Sequence, residues 1–293
     1  MALTHAHSHV GTFVGLATLD IVYAVPRYPT PNSKNVATHQ EVFAGGPATN
    51  AAIAFSHLGG TATLLTVVGS HILGSVIRHD IARYGVRCND LVPEFDGMPA
   101  LSSISVTEGS GDRLVVSANA TRLPAPPDTF DLAPIDESAI VLVDGHHMEA
   151  CVAAARYARS RGVCVVLDGG SWKAGMESLI SSVDVAICSE NFIPPGCHKG
   201  GVVLDYLLRE GAKEAAITRG EKSILFASCR ERGEIPVSGV QAVDTLGAGD
   251  IFHGAFCYAR AQGKHFREAL AFASVIATRS CTYFGTRAWM TGG

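Results

Sequence analysis

The alternating stretch AIVLV (139–143), MEACVAAARYARSRG (148–162) and VCVVLD (163–168) decides the fold class. The first short run is fully apolar and the second is apolar up to Asp168, as in strands buried on both faces, and the Ala-rich segment between them has helical character and stops at a glycine. The alternation continues in DVAIC (184–188), GVVLDYLLREG (201–211) and EAAIT (214–218). Short apolar strands separated by helices predict βαβ units and a parallel sheet.

The first half of the chain repeats this alternation and adds segments that break it. The repeated elements are strand FVGLA (13–17), helix 47–58, strand ATLLTVVG (62–69) and helix SVIRHDIARYG (75–85). The breaks are VATHQEVF (36–43) and SSISVTEGSGDRLVVSA (102–118), and the second predicts a β-hairpin around Gly-Ser-Gly. Because no helix follows this hairpin, we expect a small separate sheet that forms a lid. The proline-rich segment 123–134 is predicted to be a connecting loop.

Composition narrows the class of protein. The chain has 293 residues, 47% hydrophobic and 17% charged, which suits one large α/β domain or two small ones and argues against disorder. A formal charge of −4 gives no electrostatic footprint for nucleic acid or an anionic membrane. No apolar run is long enough to span a bilayer, and MALTHAHSHV (1–10) lacks the features of a secretory signal. We therefore expect neither a nucleic-acid nor a membrane partner.

The eight cysteines are scattered, with no C-x-x-C pair, and several lie in apolar runs such as GVCVVLD (162–168). Free thiols in a reducing compartment explain this pattern better than disulfides or zinc. A cytoplasmic enzyme is favoured, although composition alone also fits a binding protein. His5, His7 and His9 alternate near the start and could bind a metal, but no nearby carboxylate or cysteine completes a site. We favour a frayed polar terminus there.

The segment VDTLGAGDIFHGAFCYAR (243–260) carries the strongest chemical signal. A strand-like approach ends at Asp244, and Gly247, Ala248 and Gly249 then open a helical pattern. Small residues at a helix start expose backbone N–H groups, which together with the helix dipole favour an anion such as a transferring phosphoryl group. Asp250 at the same position could accept the proton of an attacking hydroxyl. The alternative is that Asp250 only caps the helix.

Other nucleotide-binding fingerprints are missing from the sequence. There is no P-loop motif, and Phe252 stands where a dinucleotide fingerprint needs its third glycine. No protein-kinase H-R-D or D-F-G set is present. These features argue against a P-loop enzyme, a dehydrogenase and a protein kinase.

A second constellation, AGGPATNAA (44–52), offers groups for a polyol. Gly45 and Gly46 allow close approach of the backbone, and Asn50 offers both a donor and an acceptor. Asp20 follows the predicted strand 13–17, and a carboxylate there can accept hydroxyl protons of a sugar. The alternatives are a glycine-opened helix with a solvent-facing Asn50 and a turn residue at Asp20.

At these residues the chain resembles the ribokinase-like family, the PfkB carbohydrate kinases. DTLGAGDIFHGAF (244–256) is similar to its C-terminal signature and AGGPATNAAIAFSHLGG (44–60) to its N-terminal one. The start of the chain is particularly similar to ketohexokinase-type members. The resemblance implies a single three-layer α/β/α domain over 1–293, with a mostly parallel sheet and lid segments at 19–25, 36–44 and 100–120. It also implies ATP with Mg²⁺ and transfer to a hydroxymethyl group, and it leaves activation by K⁺ open.

Carried over residue by residue, the resemblance makes Asp250 the base and Gly247, Ala248 and Gly249 the anion hole. Asp20, Gly45, Gly46 and Asn50 would hold the acceptor. The nucleotide side would comprise Lys173, Ser189, Thr218, Gly220, Asp244, Ala273, Ser274, Ala277 and Gly285. The Lys173 ammonium is a usable point charge for phosphate, and a solvated lysine is the alternative.

The chain departs from the family pattern in three places. Thr18 stands where many members have Asn, and Pro47 stands where ribokinases carry Lys. The family's Asn-x-x-Glu motif appears here as Ser189 and Phe192. Because a phenyl ring cannot coordinate Mg²⁺, either Glu190 replaces the glutamate or water and ATP phosphates hold the ion.

The leading hypothesis is therefore an ATP-dependent kinase for a ketose, pentose or related polyol. A nucleoside kinase of the same family is an alternative, although hairpin 102–118 lacks aromatic residues for stacking on a base. A catalytically silent sugar- or nucleotide-binding protein is the other. Pairing of two lids predicts a homodimer.

Overall fold

The computed structural model describes residues 9–126 and 129–291. The strands are β1 Val10–Val14, β2 Thr18–Val25, β3 His39–Gly45, β4 Thr61–Thr66, β5 Arg87–Asp90, β6 Leu101–Thr107, β7 Arg113–Ser117, β8 Ile140–Val143, β9 Cys164–Gly169, β10 Val185–Ser189, β11 Glu214–Arg219, β12 Lys222–Ser228 and β13 Arg232–Ile235. The α-helices are α1 Pro47–His57, α2 Ile72–Arg83, α3 Ala133–Asp136, α4 Met148–Ser160, α5 Met176–Ile180, α6 Gly201–Arg209, α7 Ala248–Ala261 and α8 Phe266–Ser280.

The large sheet has the strand order β13-β12-β11-β10-β9-β8-β1-β4-β5. Every neighbouring pair from β11 to β5 is parallel, and β12 and β13 add an antiparallel hairpin at one edge. Successive strand residues point to opposite faces, so Phe13 enters one core with α1, α2, α7 and α8, and Val14 enters the other with α4, α5 and α6. The fold is the predicted three-layer α/β/α arrangement with a mostly parallel sheet.

A second sheet has the order β3-β2-β6-β7 and stands apart from the large one. Strands β6 and β7 form the predicted hairpin, with Ser103 opposite Val116. One face of this sheet contributes Val22, Phe43 and Ile104 to a small core that Leu246 and Phe284 complete. The small sheet therefore covers the segment that leads into α7, as a lid would.

Several predicted boundaries were wrong. The strand expected at 13–17 is β1, Val10–Val14, and it ends before Gly15, where the carboxylate of Asp144 occupies the space that a Cβ would need. Residues 236–247 form neither helix nor strand, so the strand-like approach to Asp244 is in fact a loop. The alternative of a turn at Asp20 was also wrong, because Asp20 lies inside β2.

The described part of the N-terminus contains one of the three alternating histidines. The His9 ring lies 5.8 Å from that of Tyr258, and His5 and His7 fall outside the described residues. None of the helices in 9–126 and 129–291 combines the length and apolar content needed to cross a bilayer.

Candidate active site

Helix α7 begins at a glycine-rich turn that displays Asp250 in its first turn. Gly247 occupies the N-cap position with φ 69°, a left-handed conformation that favours glycine, and no side chain caps the helix. A Cβ on Gly247 would approach Thr286 Cγ2 to 2.7 Å. Nothing lies within 4 Å of the position where Gly249 would carry a Cβ. The first turn therefore opens onto free space, and Asp250 is not the helix cap.

Asn50 joins helix α1 to this turn. Its Nδ2 donates to Asp250 Oδ2 at 2.7 Å. The contact is possible because α1 and α7 pack closely, and a Cβ on Gly254 would overlap the carbonyl oxygen of Ala51. Asn50 is 3% exposed, so the alternative of a solvent-facing side chain does not hold.

The carboxyl group of Asp250 has an unusual environment. Burial, and then the negative charge of Asp168, raise its pKa to about 7, against the hydrogen bond from Asn50 and the charge of His253, which lower it. Asp144 adds a smaller raising effect. A carboxyl group with a pKa near 7 exchanges protons readily at neutral pH, which suits a general base.

His253 and Asp168 form a buried pair below the turn. His253 Nδ1 lies 3.4 Å from Asp168 Oδ2 and 2.7 Å from the carbonyl oxygen of Gly249. The Nε2 atom lies 3.1 Å from the carbonyl oxygen of Ile187. Each ring nitrogen therefore lies within hydrogen-bond distance of a backbone carbonyl oxygen. The pair therefore ties the start of α7 to the ends of β9 and β10.

Asp20 reaches the same region from the lid. Its carboxylate is 6% exposed and accepts from Thr18 Oγ1 at 2.6 Å. Burial raises the pKa of Asp20, while the hydroxyls of Thr18 and Ser102 and the charge of Arg287 lower it. Thr18, which departs from the family pattern, thus holds the carboxylate in place.

The glycine pair makes room for protein atoms. A Cβ on Gly45 would overlap the Asp20 carboxylate, and one on Gly46, at φ 100°, would overlap the carbonyl oxygen of Leu16. Pro47 then starts α1, where its missing N–H removes no hydrogen bond.

Asp144, at the end of β8, is a structural carboxylate. Its Oδ2 accepts from the backbone N–H groups of Leu16 at 2.9 Å and Ala48 at 3.1 Å, and its Oδ1 from that of His146 at 2.8 Å. One buried side chain therefore fixes the loop after β1 and the start of α1.

Four of the nine residues assigned to the nucleotide side lie at or just after the carboxyl ends of β9 to β11. Lys173 Nζ lies 3.4 Å from the carbonyl oxygen of Asp144. Ser189 Oγ donates to the carbonyl oxygen of Gly170 at 2.7 Å, and Thr218 Oγ1 to that of Cys188 at 3.4 Å. Gly220 has φ 62° in the β11–β12 turn, and no atom lies within 4 Å of its Cβ position.

A cavity of about 320 Å³ lies between β13 and α8. Ser274 lines it together with Val275 and Thr278. Ala273 is instead fully buried in the core that contains Phe13, and Ala277 packs against that core. These two residues therefore do not line the cavity.

Asp244 and Gly285 are linked to each other. Asp244 Oδ2 accepts from the N–H of Gly285 at 2.9 Å, and Oδ1 accepts from that of Leu246 at 2.8 Å. Both carboxylate oxygens of Asp244 therefore accept hydrogen bonds from backbone N–H groups. Arg113 of β7 donates to the carbonyl oxygen of Thr245 at 3.0 Å, which attaches the lid to this loop.

The family implies Mg²⁺, and the residues near the altered motif allow a test of fit. Phe192 is fully buried and its ring lies 5.4 Å from that of Trp172, so it offers nothing to a cation. Within the described ranges, no group of three or more His, Cys, Asp or Glu side chains could hold a metal. Glu190 is a half-buried carboxylate beside the nucleotide-side residues. One carboxylate with phosphates and water is a donor set that suits Mg²⁺.

The structure thus brings Asp20, Asn50, Gly247 and Asp250 into one region, with Gly45 and Gly46 supporting it. Sequence reasoning missed Asp144, Asp168, His253 and Arg287. Asp144 directly follows the apolar strand β8 and Asp168 ends the apolar run of β9, and that position was a usable signal. The sequence around Arg287 contains no such signal.

Comparisons with known proteins identify the family and the fold. The model of the pfkB family carbohydrate kinases matches residues 12–291. The ribokinase of Bacillus subtilis (strain 168) is 24% identical over 283 residues, which is 94% of each chain. A crystal structure of a provisionally named ribokinase from Agrobacterium tumefaciens superposes with a TM-score of 0.87 at 28% identity, covering 97% of this chain and 94% of the other. The structure of Arabidopsis thaliana ribokinase with ribose and ATP gives 0.74 at 21% identity, covering 97% and 99%.

The fold and the site define a small-molecule kinase of the ribokinase-like type. The chain belongs to the pfkB family of carbohydrate kinases, and it is a phosphotransferase with an alcohol group as acceptor. The relatives named above are ribokinases, and the finer likeness to ketohexokinase-type members stays a prediction.

Proposed function

We propose that the protein transfers the γ-phosphate of ATP to a hydroxyl group of a small neutral sugar, a ketose, pentose or related polyol. The observation that carries this proposal is the Asp250 carboxyl group, with a pKa raised to about 7, at the open glycine turn of α7. The Arabidopsis thaliana ribokinase whose structure is a complex with ribose and ATP shares the fold.

In this mechanism Asp250 accepts the proton of the acceptor hydroxyl as its oxygen attacks phosphorus. The backbone N–H groups of Gly247, Ala248 and Gly249, at the positive end of α7, stabilise negative charge on the transferring group. Asp20 and Asn50 bind and orient the acceptor by hydrogen bonds to its hydroxyl groups. Buried carboxylates around the site disfavour a negatively charged acceptor, which is why a neutral polyol is the proposed class.

The nucleotide is proposed to lie along the carboxyl ends of β9 to β11. Lys173, Ser189, Thr218 and Gly220 would face its phosphates, and Ser274 on α8 its base. Glu190 would hold Mg²⁺ together with ATP phosphates and water, and this ion would neutralise phosphate charge. A role for K⁺ stays untested, and a cytoplasmic location stays a prediction.

We also propose a homodimer through the lid. Val42, Leu114 and Val116 are 47%, 39% and 65% exposed. By strand register they lie on the face opposite to Asp20, because Val42 and Val116 align with Ile21 and Ser103. A second copy of the chain could cover this apolar face.

The decisive experiment is an acceptor panel with ATP and Mg²⁺, followed by ADP release and by ³¹P NMR of the product. We expect turnover with one or a few neutral sugars and none with Asp250→Asn. Turnover confined to nucleosides would favour the nucleoside-kinase alternative. Tight sugar binding with no phosphorylated product would favour a silent binding protein.

A further inference from the structure

Arg287 is a buried cation next to the acceptor site that no step above uses. It is 8% exposed, and its guanidinium carbon lies 5.3 Å from the ring centroid of Phe43 and 5.3 Å from that of Tyr84. Burial lowers the pKa of its guanidinium group, and the charge of Asp80 is the first to oppose this. Burying a charged group costs folding free energy unless its donors are paired. The hydrogen-bond partners of Arg287 therefore indicate what the buried charge does.

The donors of Arg287 reach the acceptor side of the site. Nη1 donates to Asn50 Oδ1 at 2.9 Å and to Thr286 Oγ1 at 2.8 Å. Nη2 donates to the carbonyl oxygen of Ala44 at 2.5 Å and lies 3.9 Å from Asp80 Oδ2. The planar fork and the two flanking rings leave the group little freedom to turn.

These contacts settle the orientation of the Asn50 amide. A guanidinium group only donates, so the amide oxygen must face Arg287, and a carboxylate only accepts, so the amide NH₂ must face Asp250. We propose that Arg287 is a positioning residue, which fixes the Asn50 side chain so that its amide donates to the base. The inference rests on the proposed function only in calling Asp250 the base.

Asp250 responds to this contact because its surroundings are otherwise mostly unfavourable to charge. Asp168 and Asp144 oppose ionisation of Asp250, whereas His253 and the Asn50 hydrogen bond favour it, and Arg287 is close enough to interact with its charge. Without Arg287 the Asn50 amide can rotate and turn its oxygen toward the carboxylate. The hydrogen bond would then be replaced by repulsion, and the carboxyl group would keep its proton to higher pH.

The test is a double-mutant cycle with Arg287→Gln, Asn50→Ala and the double variant, all as full-length protein. The readout is the pH titration of the Asp250 ¹³Cγ resonance in ligand-free protein, assigned by its loss in Asp250→Asn. We expect each single variant to raise the midpoint by about one pH unit, since a hydrogen bond to a charged group contributes about 1.5–3 kcal/mol. In the double variant the shift should be smaller than the sum of the two single shifts, because only the direct effect of the Arg287 charge remains once Asn50 is gone. Additive shifts, or no shift in Arg287→Gln, would overturn the proposal.

Two further variants separate positioning from stability. Asp80→Asn removes the partner of Arg287 that lies away from Asn50, so it should lower Tm without moving the Asp250 midpoint. An equal shift in Asp80→Asn would reject the proposal. Should Arg287→Gln fail to fold, Arg287→Lys keeps the charge without the fork and should still raise the midpoint. Because the titration needs no turnover, a protein with the expected shifts and no kinase activity would refute the proposed function alone.

Discussion

Gly45 faces the carboxylate of Asp20 so closely that a single methyl group at Gly45 would occupy the same space. The glycine at the end of β3 and the acid in β2 are therefore one unit, and the glycine is needed whether or not it touches the acceptor.

Gly45→Ala should displace the Asp20 carboxylate from its hydrogen bond with Thr18. We expect KM for the acceptor to rise about 10- to 100-fold, the equivalent of one hydrogen bond to a charged group, with little change in KM for ATP. Steady-state kinetics with each substrate varied provides the measurement. Gly201→Ala, where nothing lies within 4 Å of the new Cβ, is the matched control and should be silent. Equal changes for both substrates would contradict the role of Asp20.

Alanine substitutions at the two glycines of the α7 turn should have different effects: Gly249→Ala should lower kcat, and Gly247→Ala should lower Tm. Gly249 has free space at its Cβ position and no left-handed φ, so its alanine variant should keep Tm while kcat falls about 100-fold, because the methyl group enters the space of the migrating phosphate. Gly247→Ala should lower Tm, since φ is 69° and Thr286 is close. Calorimetry and turnover on both variants provide the comparison. An unchanged kcat in Gly249→Ala would argue against the anion hole.

The pH dependence of transfer should report Asp250. With its pKa raised to about 7, the ionised base is lost as pH falls, so kcat/KM for the acceptor should decline below neutrality. An ordinary aspartate, with a pKa of about 3.9, would leave the profile flat between pH 6 and 8. In Asn50→Ala the midpoint should move upward, because the lost hydrogen bond lowers the pKa of Asp250 in the wild type. If the pH profile instead reflected protonation of ATP, its midpoint would not move in Asn50→Ala.

Asp250 should also make the fold less stable at high pH. Its folded-state pKa lies above the unfolded value, so the folded state binds this proton more tightly and loses stability as pH rises toward 7. Asp250→Asn should therefore raise Tm at pH 8, and the advantage should shrink steadily as pH is lowered to 5. Thermal unfolding at several pH values measures this difference. A gain in Tm that does not depend on pH would show that desolvation of the charge is not its cause.

The lid face offers a test of assembly. Val116→Asp places a charge on the exposed face without touching the side that carries Asp20. We expect sedimentation to give a dimer for the wild type at micromolar concentration and a monomer for the variant. Glu149→Lys, an exposed change on α4, is the control and should stay dimeric. A monomeric wild type would remove the proposal.

Local patterns in the sequence predicted the parallel sheet, the hairpin and the glycine-rich turn at the start of α7, because each depends on short-range signals such as apolar runs and glycines. The start of the second sheet was placed poorly, since β1 and β2 are separated only by residues 15–17 and the run FVGLA crosses that boundary. Nothing in the run shows that the strand ends before Gly15, where the carboxylate of Asp144, which follows the neighbouring strand β8, occupies the space that a Cβ would need.

The residues of the candidate site likewise fall into those that the sequence reveals and those that only the structure reveals. Asp250 and Asn50 stand in recognisable glycine-rich signatures, so they could be found from sequence. Arg287 could not, because its importance comes from contacts with Asn50 and Asp80, both more than 200 positions away. Likewise the sequence shows His253 only as a residue of a helix. The two carbonyl oxygens beside its ring are visible only in the structure.

The attachment of Arg113 to Thr245 places the four-stranded sheet, with Asp20 in it, directly against the loop that starts α7. In the proposed mechanism, Asp20 on this sheet binds the acceptor where the sheet meets the body, and Asn50 on α1 binds it from the body side. Under the proposed function, substitutions confined to the four-stranded sheet should therefore change which alcohol fits while Asp250 and its turn stay intact. Proteins with this arrangement can change their acceptor while the residues that carry out the transfer stay the same.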